Sequence, residues 1–479
     1  MKFNFATVLM LLTVLPVIAD TELPDTESFG KKESFVIKGK VSPDFGKKFS
    51  IAVSGYLNNN GIDLPVNQNG EFCETITMEG PLQEIYIYVD KTVTIPVAAG
   101  DTVVADYIDN KLTLSSPDRE YDSNLKFAKL KHDMLRKRYI SINRSAYGDI
   151  ASDSSRHALI DSIDCYISDY NTLLHNFEKE NGTLSKREYF VNDAYFSPMH
   201  FIARDKDLLD SINAMPDSKQ KGAYRKLSAA QMIYPSVRNF AISYIRDLSS
   251  ETCRKVECDE IVYARIINIA RAIAPDPFVA DLVNASQLHV DMLFASYPDI
   301  EPYADSTIGN ITTTWVKEQI ADEWDRFKIT APGCELPKLV LTDMDGKNVP
   351  IERFKGKVVL LDFWAIGCGP CVMEFKKMEE FKSIFADKKD DLRIITVCCS
   401  TPSKETWKKA IDKYSMNDIN TMLVPEESAE IYSKLGWPTY VLIGRDGKIF
   451  EWNTMRPSII IGMKKRNRTT TIDEALAAD

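Results

Sequence analysis

The sequence has no uninterrupted apolar stretch of the ~20 residues that a membrane-spanning helix needs, and at 44% hydrophobic and 27% charged residues it is too polar for a multi-span membrane protein. Histidine is sparse: His132, His157, His175, His200 and His289 are scattered without the short spacings that gather ligands around a metal. There is no excess of positive charge. The formal net charge of −10 excludes nucleic-acid binding through a basic surface, because such binding depends on displacing counterions from phosphates. One basic run, Lys464-Lys465-Arg466-Asn467-Arg468, is too short to reverse this and is expected to be a solvated tail. Cysteine is scarce too: nine in 479 residues cannot build a disulfide scaffold, and the odd number leaves at least one free or redox-active. Cys73, Cys165, Cys253, Cys258, Cys334, Cys398 and Cys399 are expected as buried small residues or occasional bridges, with Cys253 and Cys258 close enough for a local one.

What is present begins with length. A chain of 479 residues exceeds the ~100–200 of one domain, so two to four compact units are expected. Residues 1–19 read as an export signal: Lys2, an apolar run over 5–17, then Val17-Ile18-Ala19 at the cleavage position. No cysteine follows closely to carry a lipid, so the mature protein is expected free in a periplasmic or other extracytoplasmic space, without stable membrane insertion.

Residues 34–116 alternate short β-branched runs with turns such as Asn60-Gly61 and Asn69-Gly70, which predicts a small antiparallel sandwich. After Pro117 the period changes. Ile160, Ile163, Ile167, Tyr170, Leu174 and Phe177 trace one helical face, and a second helical run over 261–273 stops before Pro275-Asp276-Pro277. From Leu336 strands and helices alternate, as in a sheet covered on both faces. Strands are predicted over 338–342, 358–365, 392–397, 439–443 and 448–452, with helices over 369–385 and 404–414. The expected fold class is therefore multidomain: an N-terminal β-sandwich (34–116), a helical middle region (117–327) and a C-terminal α/β domain (331–455), followed by a tail (456–479).

The chemistry lies in that last domain. In Val358-Val359-Leu360-Leu361-Asp362-Phe363-Trp364-Ala365 a carboxylate interrupts what otherwise reads as a buried central strand, which is costly unless the acid has a task. Cys368 follows at the turn and Cys371 one helical turn later. A helix N-terminus aimed at Cys368 favours thiolate over thiol, which makes Cys368 the expected nucleophile. The two-residue spacing lets Cys371 close on Cys368 as the resolving thiol. A zinc site would need two further ligands, and no histidine follows His289.

The segment Asp362-Phe363-Trp364-Ala365-Ile366-Gly367-Cys368-Gly369-Pro370-Cys371 resembles the active-site segment of thioredoxins, and Gly436-Trp437-Pro438-Thr439, followed by a strand and Asp446-Gly447, resembles their cis-proline segment. With Asp345-Gly346-Lys347 and Lys355-Gly356-Lys357 upstream and an export signal, residues 331–455 are similar to the TlpA and ResA group of extracytoplasmic thiol-disulfide oxidoreductases. The resemblance implies a thioredoxin fold. It implies that Asp362 moves protons for the resolving cysteine, that Glu374 tunes the pair, and that Pro438 is cis. By the same resemblance a client strand would pair beside Trp437 and Pro438, over Gly369 and Pro370. Gly367 and Trp437 depart from the group, which has a bulky residue at the first position and smaller ones at the second.

The expected function is protein disulfide reduction, with no organic cofactor or metal, acting on a disulfide-containing client and drawing electrons from a membrane thiol donor. Two alternatives stand beside it. A thiol peroxidase usually carries Thr or Ser three residues before its cysteine, where Ala365 stands. A partner-binding protein would use the terminal domain only for recognition.

Overall fold

The computed structural model describes residues 26–478 except 44, 46–47, 58, 90, 147–152, 203–228, 256–275, 401 and 417. The export-signal segment, the helical run over 261–273, Cys258 and the side chain of Cys253 lie outside these residues.

Eight strands come first: β1 (Lys32–Lys40), β2 (Lys48–Ser54), β3 (Asn59–Pro65), β4 (Glu71–Glu79), β5 (Leu82–Tyr88), β6 (Thr92–Ala98), β7 (Thr102–Ile108) and β8 (Lys111–Ser115). They form two four-stranded sheets, ordered β4-β1-β7-β8 and β3-β2-β5-β6. Period-2 alternation buries one face of each, as in β8, where Leu112 and Leu114 are buried between exposed neighbours. The two buried faces meet where Phe49 of β2 stacks on Phe72 of β4 at 4.5 Å. The expectation of wholly antiparallel pairing needs correction, because β1 and β7 run parallel, with Val36 opposite Thr102. Parallel neighbours need a long crossover, and the intervening strands supply it.

Helices α1 (Arg119–Ala146), α2 (Asp153–Asn181), α3 (Arg187–Ile202) and α4 (Pro235–Lys255) follow, then α5 (Pro277–Phe294), α6 (Tyr297–Asn310) and α7 (Thr314–Phe327). The face predicted for α2 is the one that packs, with Ile163, Tyr170 and Leu174 buried. The helical region is not a unit of its own. The chain divides into one unit of Met1–Ser286 with Ile311–Lys317 and another of Gln287–Asn310 with Glu318–Asp479. Aromatic packing accounts for this partition. In the first unit Trp315 meets Tyr56 edge-on at 5.1 Å; in the second Trp324 stacks on Tyr297 at 5.4 Å.

The second unit continues with β9 (Leu341–Thr342), β10 (Val358–Trp364), α8 (Gly369–Phe375), α9 (Met378–Ile384), β11 (Leu392–Cys398), α10 (Lys404–Lys413), β12 (Ile419–Leu423), β13 (Thr439–Ile443), β14 (Ile449–Trp452), α11 (Pro457–Lys464) and α12 (Thr471–Ala477). Its six-stranded sheet is ordered β14-β13-β10-β11-β12-β9. Fully buried β10 pairs parallel with β11 and antiparallel with β13.

Four features differ from the sequence expectations. The strand over 338–342 shrinks to β9, and β12 is an additional strand. The helix over 369–385 breaks at Lys376 and Lys377, because the Lys377 N–H turns back to the Glu374 carbonyl at 2.8 Å, one residue short of the α pattern. Residues 456–479 are not a tail but carry α11 and α12. Ile460, Ile461, Ile472 and Ala475 join Val358 and Leu360 of β10 and Phe381 of α9 in one buried cluster. The basic run turns the chain between these helices, with Lys465, Arg466 and Arg468 exposed. Among the described residues no helix is long and apolar enough to cross a membrane.

Candidate active site

Pleating decides what β10 presents to the helices. Val358, Leu360, Asp362 and Trp364 share a face, so Asp362 falls between the cluster around Leu360 and a second one containing Trp364, Cys371, Phe375, Cys398 and Trp407. It is 0% exposed, and neither carboxylate oxygen finds a hydrogen-bond partner among the described residues. Burial, reinforced by the charges of Asp418 and Glu374, pushes its carboxyl up to about 8. The hydroxyl of Tyr440, on the residue opposite in β13, is likewise buried without a hydrogen-bond partner among the described residues.

Past Trp364 the chain turns sharply. Gly367 has φ +84°, a conformation that a side chain disfavours, which gives a backbone reason for glycine where the family carries a bulky residue. The turn is fixed by Ile366 N–H donating to Ser400 Oγ at 2.9 Å. Cys368 is the N-cap of α8: its Sγ accepts from the Cys371 N–H at 3.2 Å, and Pro370 stands in the first turn, where no N–H is needed. Cys368 and Cys371 form a disulfide, with Cα atoms 5.4 Å apart. The two sulfurs differ in access. Cys371 is 0% exposed within the Trp364 cluster, whereas Cys368 is half-buried and flanked by exposed Gly367, Gly369 and Pro370.

Glu374, one turn further on, is 6% exposed. Its Oε1 accepts from Ser458 Oγ at 2.7 Å and its Oε2 from Ser458 N–H at 3.0 Å, so it caps the first turn of α11 and ties the cysteine helix to it. The Trp437–Pro438 peptide is cis, with Pro438 buried and Trp437 42% exposed. Cys399, just beyond β11, donates its N–H to the Trp364 carbonyl at 2.8 Å and its thiol to the Val397 carbonyl at 3.7 Å. Burial pushes that thiol up to about 12. Among the described residues Cys73, Cys165, Cys334, Cys398 and Cys399 are free.

Sequence reading missed Ser458, Ser400 and the tie of Cys399 to the Trp364 carbonyl. Only Ser458 carries a usable signal, since Arg456-Pro457-Ser458 before three isoleucines is a helix start.

A model of the Redoxin family matches residues 331–457. A thiol-disulfide oxidoreductase ResA from Bacillus thuringiensis subsp. konkukian is 31% identical over 122 residues, covering 25% of this chain and 67% of its own length. The chain belongs to the ResA-like thiol-disulfide oxidoreductases. ResA of Bacillus subtilis is 28% identical over 130 residues, 27% of this chain and 71% of its own. Among solved structures, the thioredoxin domain of a thiol-disulfide oxidoreductase from Bacteroides vulgatus is 28% identical, with coverage of 29% of this chain and 99% of that one and a TM-score of 0.25. A thiol:disulfide interchange protein from Bacteroides sp. is 29% identical, covering 28% and 89%, also at a TM-score of 0.25. The assignment to the ResA-like family rests on the sequence match and not on these scores. This ResA-like chain is thus an oxidoreductase, and its family likeness is confined to the C-terminal part.

Proposed function

We propose that the protein is an extracytoplasmic protein-disulfide reductase working through the dithiol of Cys368 and Cys371, with no bound organic cofactor or metal. The observation that carries this reading is the asymmetry of the pair: a half-buried Cys368 Sγ receives a backbone N–H at a helix start, above a fully buried Cys371. In the reduced protein the Cys368 thiolate attacks a client disulfide, forming a mixed disulfide and releasing one client thiolate. The ionised form of Asp362, populated as pH approaches about 8, takes the proton of Cys371. The Cys371 thiolate then attacks Cys368 Sγ, the second client sulfur leaves, and the protein holds the Cys368–Cys371 disulfide. A membrane thiol donor returns two electrons to it. Glu374 holds the cysteine helix on α11 through Ser458. An extended client strand pairs along the backbone before Pro438, with the exposed Trp437 ring limiting which strands fit and Gly369-Pro370 forming the opposite lip.

The Gly-Pro pair between the cysteines resembles that of reducing thioredoxins, so equilibration of the full chain with glutathione should give a potential nearer ~−270 mV than ~−120 mV. A value at the oxidising end would make the protein a donor of disulfides and reject the reductase reading.

A further inference from the structure

The N-terminal unit carries a half-open cavity of about 410 Å³ between strands β5 and β6 and helices α1 to α4, with no part in the dithiol chemistry. Its wall contains a buried charge cluster. Lys131 Nζ of α1 lies 2.8 Å from Asp193 Oδ2 of α3, which also accepts from the Tyr170 hydroxyl at 2.9 Å. Beside them Glu84 of β5 accepts from the Tyr189 hydroxyl at 2.8 Å and the Tyr86 hydroxyl at 3.1 Å. Burial, then the Asp193 charge, raises the Glu84 carboxyl, so it keeps its proton more readily than a free glutamate.

Three lining groups are left uncommitted. Ser236 of α4 is 6% exposed, yet its Oγ has no hydrogen-bond partner among the described residues. Among the described residues Arg136 of α1 makes no ion pair or side-chain hydrogen bond, and Asp193 accepts on Oδ2 alone. Buried hydroxyls are rarely orphaned, so Ser236 Oγ points to a missing partner. Lys131 is balanced by Asp193, which leaves the Arg136 guanidinium as the unanswered charge, and its fork matches a carboxylate in two parallel bonds. An acceptor oxygen on Asp193 calls for a donor on the same molecule.

We propose that this cavity binds a small carboxylate that also carries a hydrogen-bond donor, a hydroxy acid or an amino acid, with its carboxylate on Arg136 and its hydroxyl or ammonium group on Asp193 Oδ1 and Ser236 Oγ. Tyr86, Tyr139 and Tyr166 supply ring surface for its carbon skeleton.

Titration calorimetry of the full chain with malate and glutamate, each at up to roughly 10 mM, tests this, with glucose as the uncharged control. At least one carboxylate should bind and glucose should not. Arg136→Gln should weaken binding about tenfold or more, and Ser236→Ala should weaken it less. Should Arg136→Gln fail to fold, Arg136→Lys, which keeps the charge but loses the fork, should still weaken binding. Failure of both carboxylates to bind, equal binding of glucose, or unchanged affinity in the folded arginine variant would overturn the proposal. The dithiol plays no part in this readout.

Discussion

A Cys371→Ser variant stalls half-way through the reaction and accumulates bound to its own client. Attack by Cys368 is intact in this variant, because the half-buried sulfur and the helix start around it do not need the second thiol. Release is what fails. Resolution normally comes from a sulfur held one helical turn away, and a tethered nucleophile outcompetes dilute external thiols by a wide margin, so turnover should fall at least about a hundredfold. Nonreducing gels of the variant recovered from its native compartment should show discrete adducts that dithiothreitol removes. Replacing Cys368 as well should abolish them. Cys399 is the control to watch, since its N–H is tied to the Trp364 carbonyl at 2.8 Å but burial pushes its thiol up to about 12 and keeps it protonated near neutral pH. Adducts that persist without Cys368, or that depend on Cys399, would show that the nucleophile has been misassigned.

The second large effect belongs to Asp362. Its carboxyl titrates at about 8 in the folded protein, against ~3.9 in an unfolded chain. Between those values the folded state holds a proton that the unfolded state has released. The contribution of this group to stability is therefore fully present below about pH 4 and is lost as pH rises through 8. Asparagine has the same shape and cannot ionise. Asp362→Asn should accordingly leave stability at pH 4 little changed and raise it at pH 9 by roughly 3–5 kcal/mol. Urea unfolding followed by tryptophan fluorescence reads this in the relevant unit, because Trp324, Trp364, Trp407, Trp437 and Trp452 all lie there. Activity should move the other way. Near pH 8, where about half of Asp362 is ionised and can take the Cys371 proton, loss of the carboxylate slows formation of the Cys371 thiolate, and client release should fall at least about tenfold. Equal stability of the two proteins at pH 9, or an unchanged release rate, would remove Asp362 from the mechanism.

The cysteine segment and the proline segment are legible in the sequence because each is a short local signal: Cys368 and Cys371 around a Gly-Pro turn, an acid inside an apolar strand, and Trp437-Pro438 before another strand. What escapes reading is set by distant partners. Strand β12 shows no alternation, since Thr421 is buried with its hydroxyl donating to the Thr396 carbonyl at 2.8 Å, and Asn420 accepts from Thr396 Oγ1 at 2.7 Å. Polar side chains satisfied across a sheet cannot be told in advance from polar side chains in water. Glu374 is similar: only the position of Ser458, 84 residues later, makes it a buried cap instead of a surface charge. The end of the chain misleads because its basic residues lie together between two short helices, while Ile460, Ile461 and Ile472, which carry the packing, stand on either side of them.

The most direct test of the reductase assignment is insulin reduction by the full chain, started from the reduced protein and followed with Cys368→Ser in parallel. The account predicts stoichiometric loss of insulin disulfides matched by formation of the Cys368–Cys371 disulfide, and no reaction from the variant. Insulin reduction that survives in Cys368→Ser, or reduced wild-type protein that leaves insulin untouched, would contradict it.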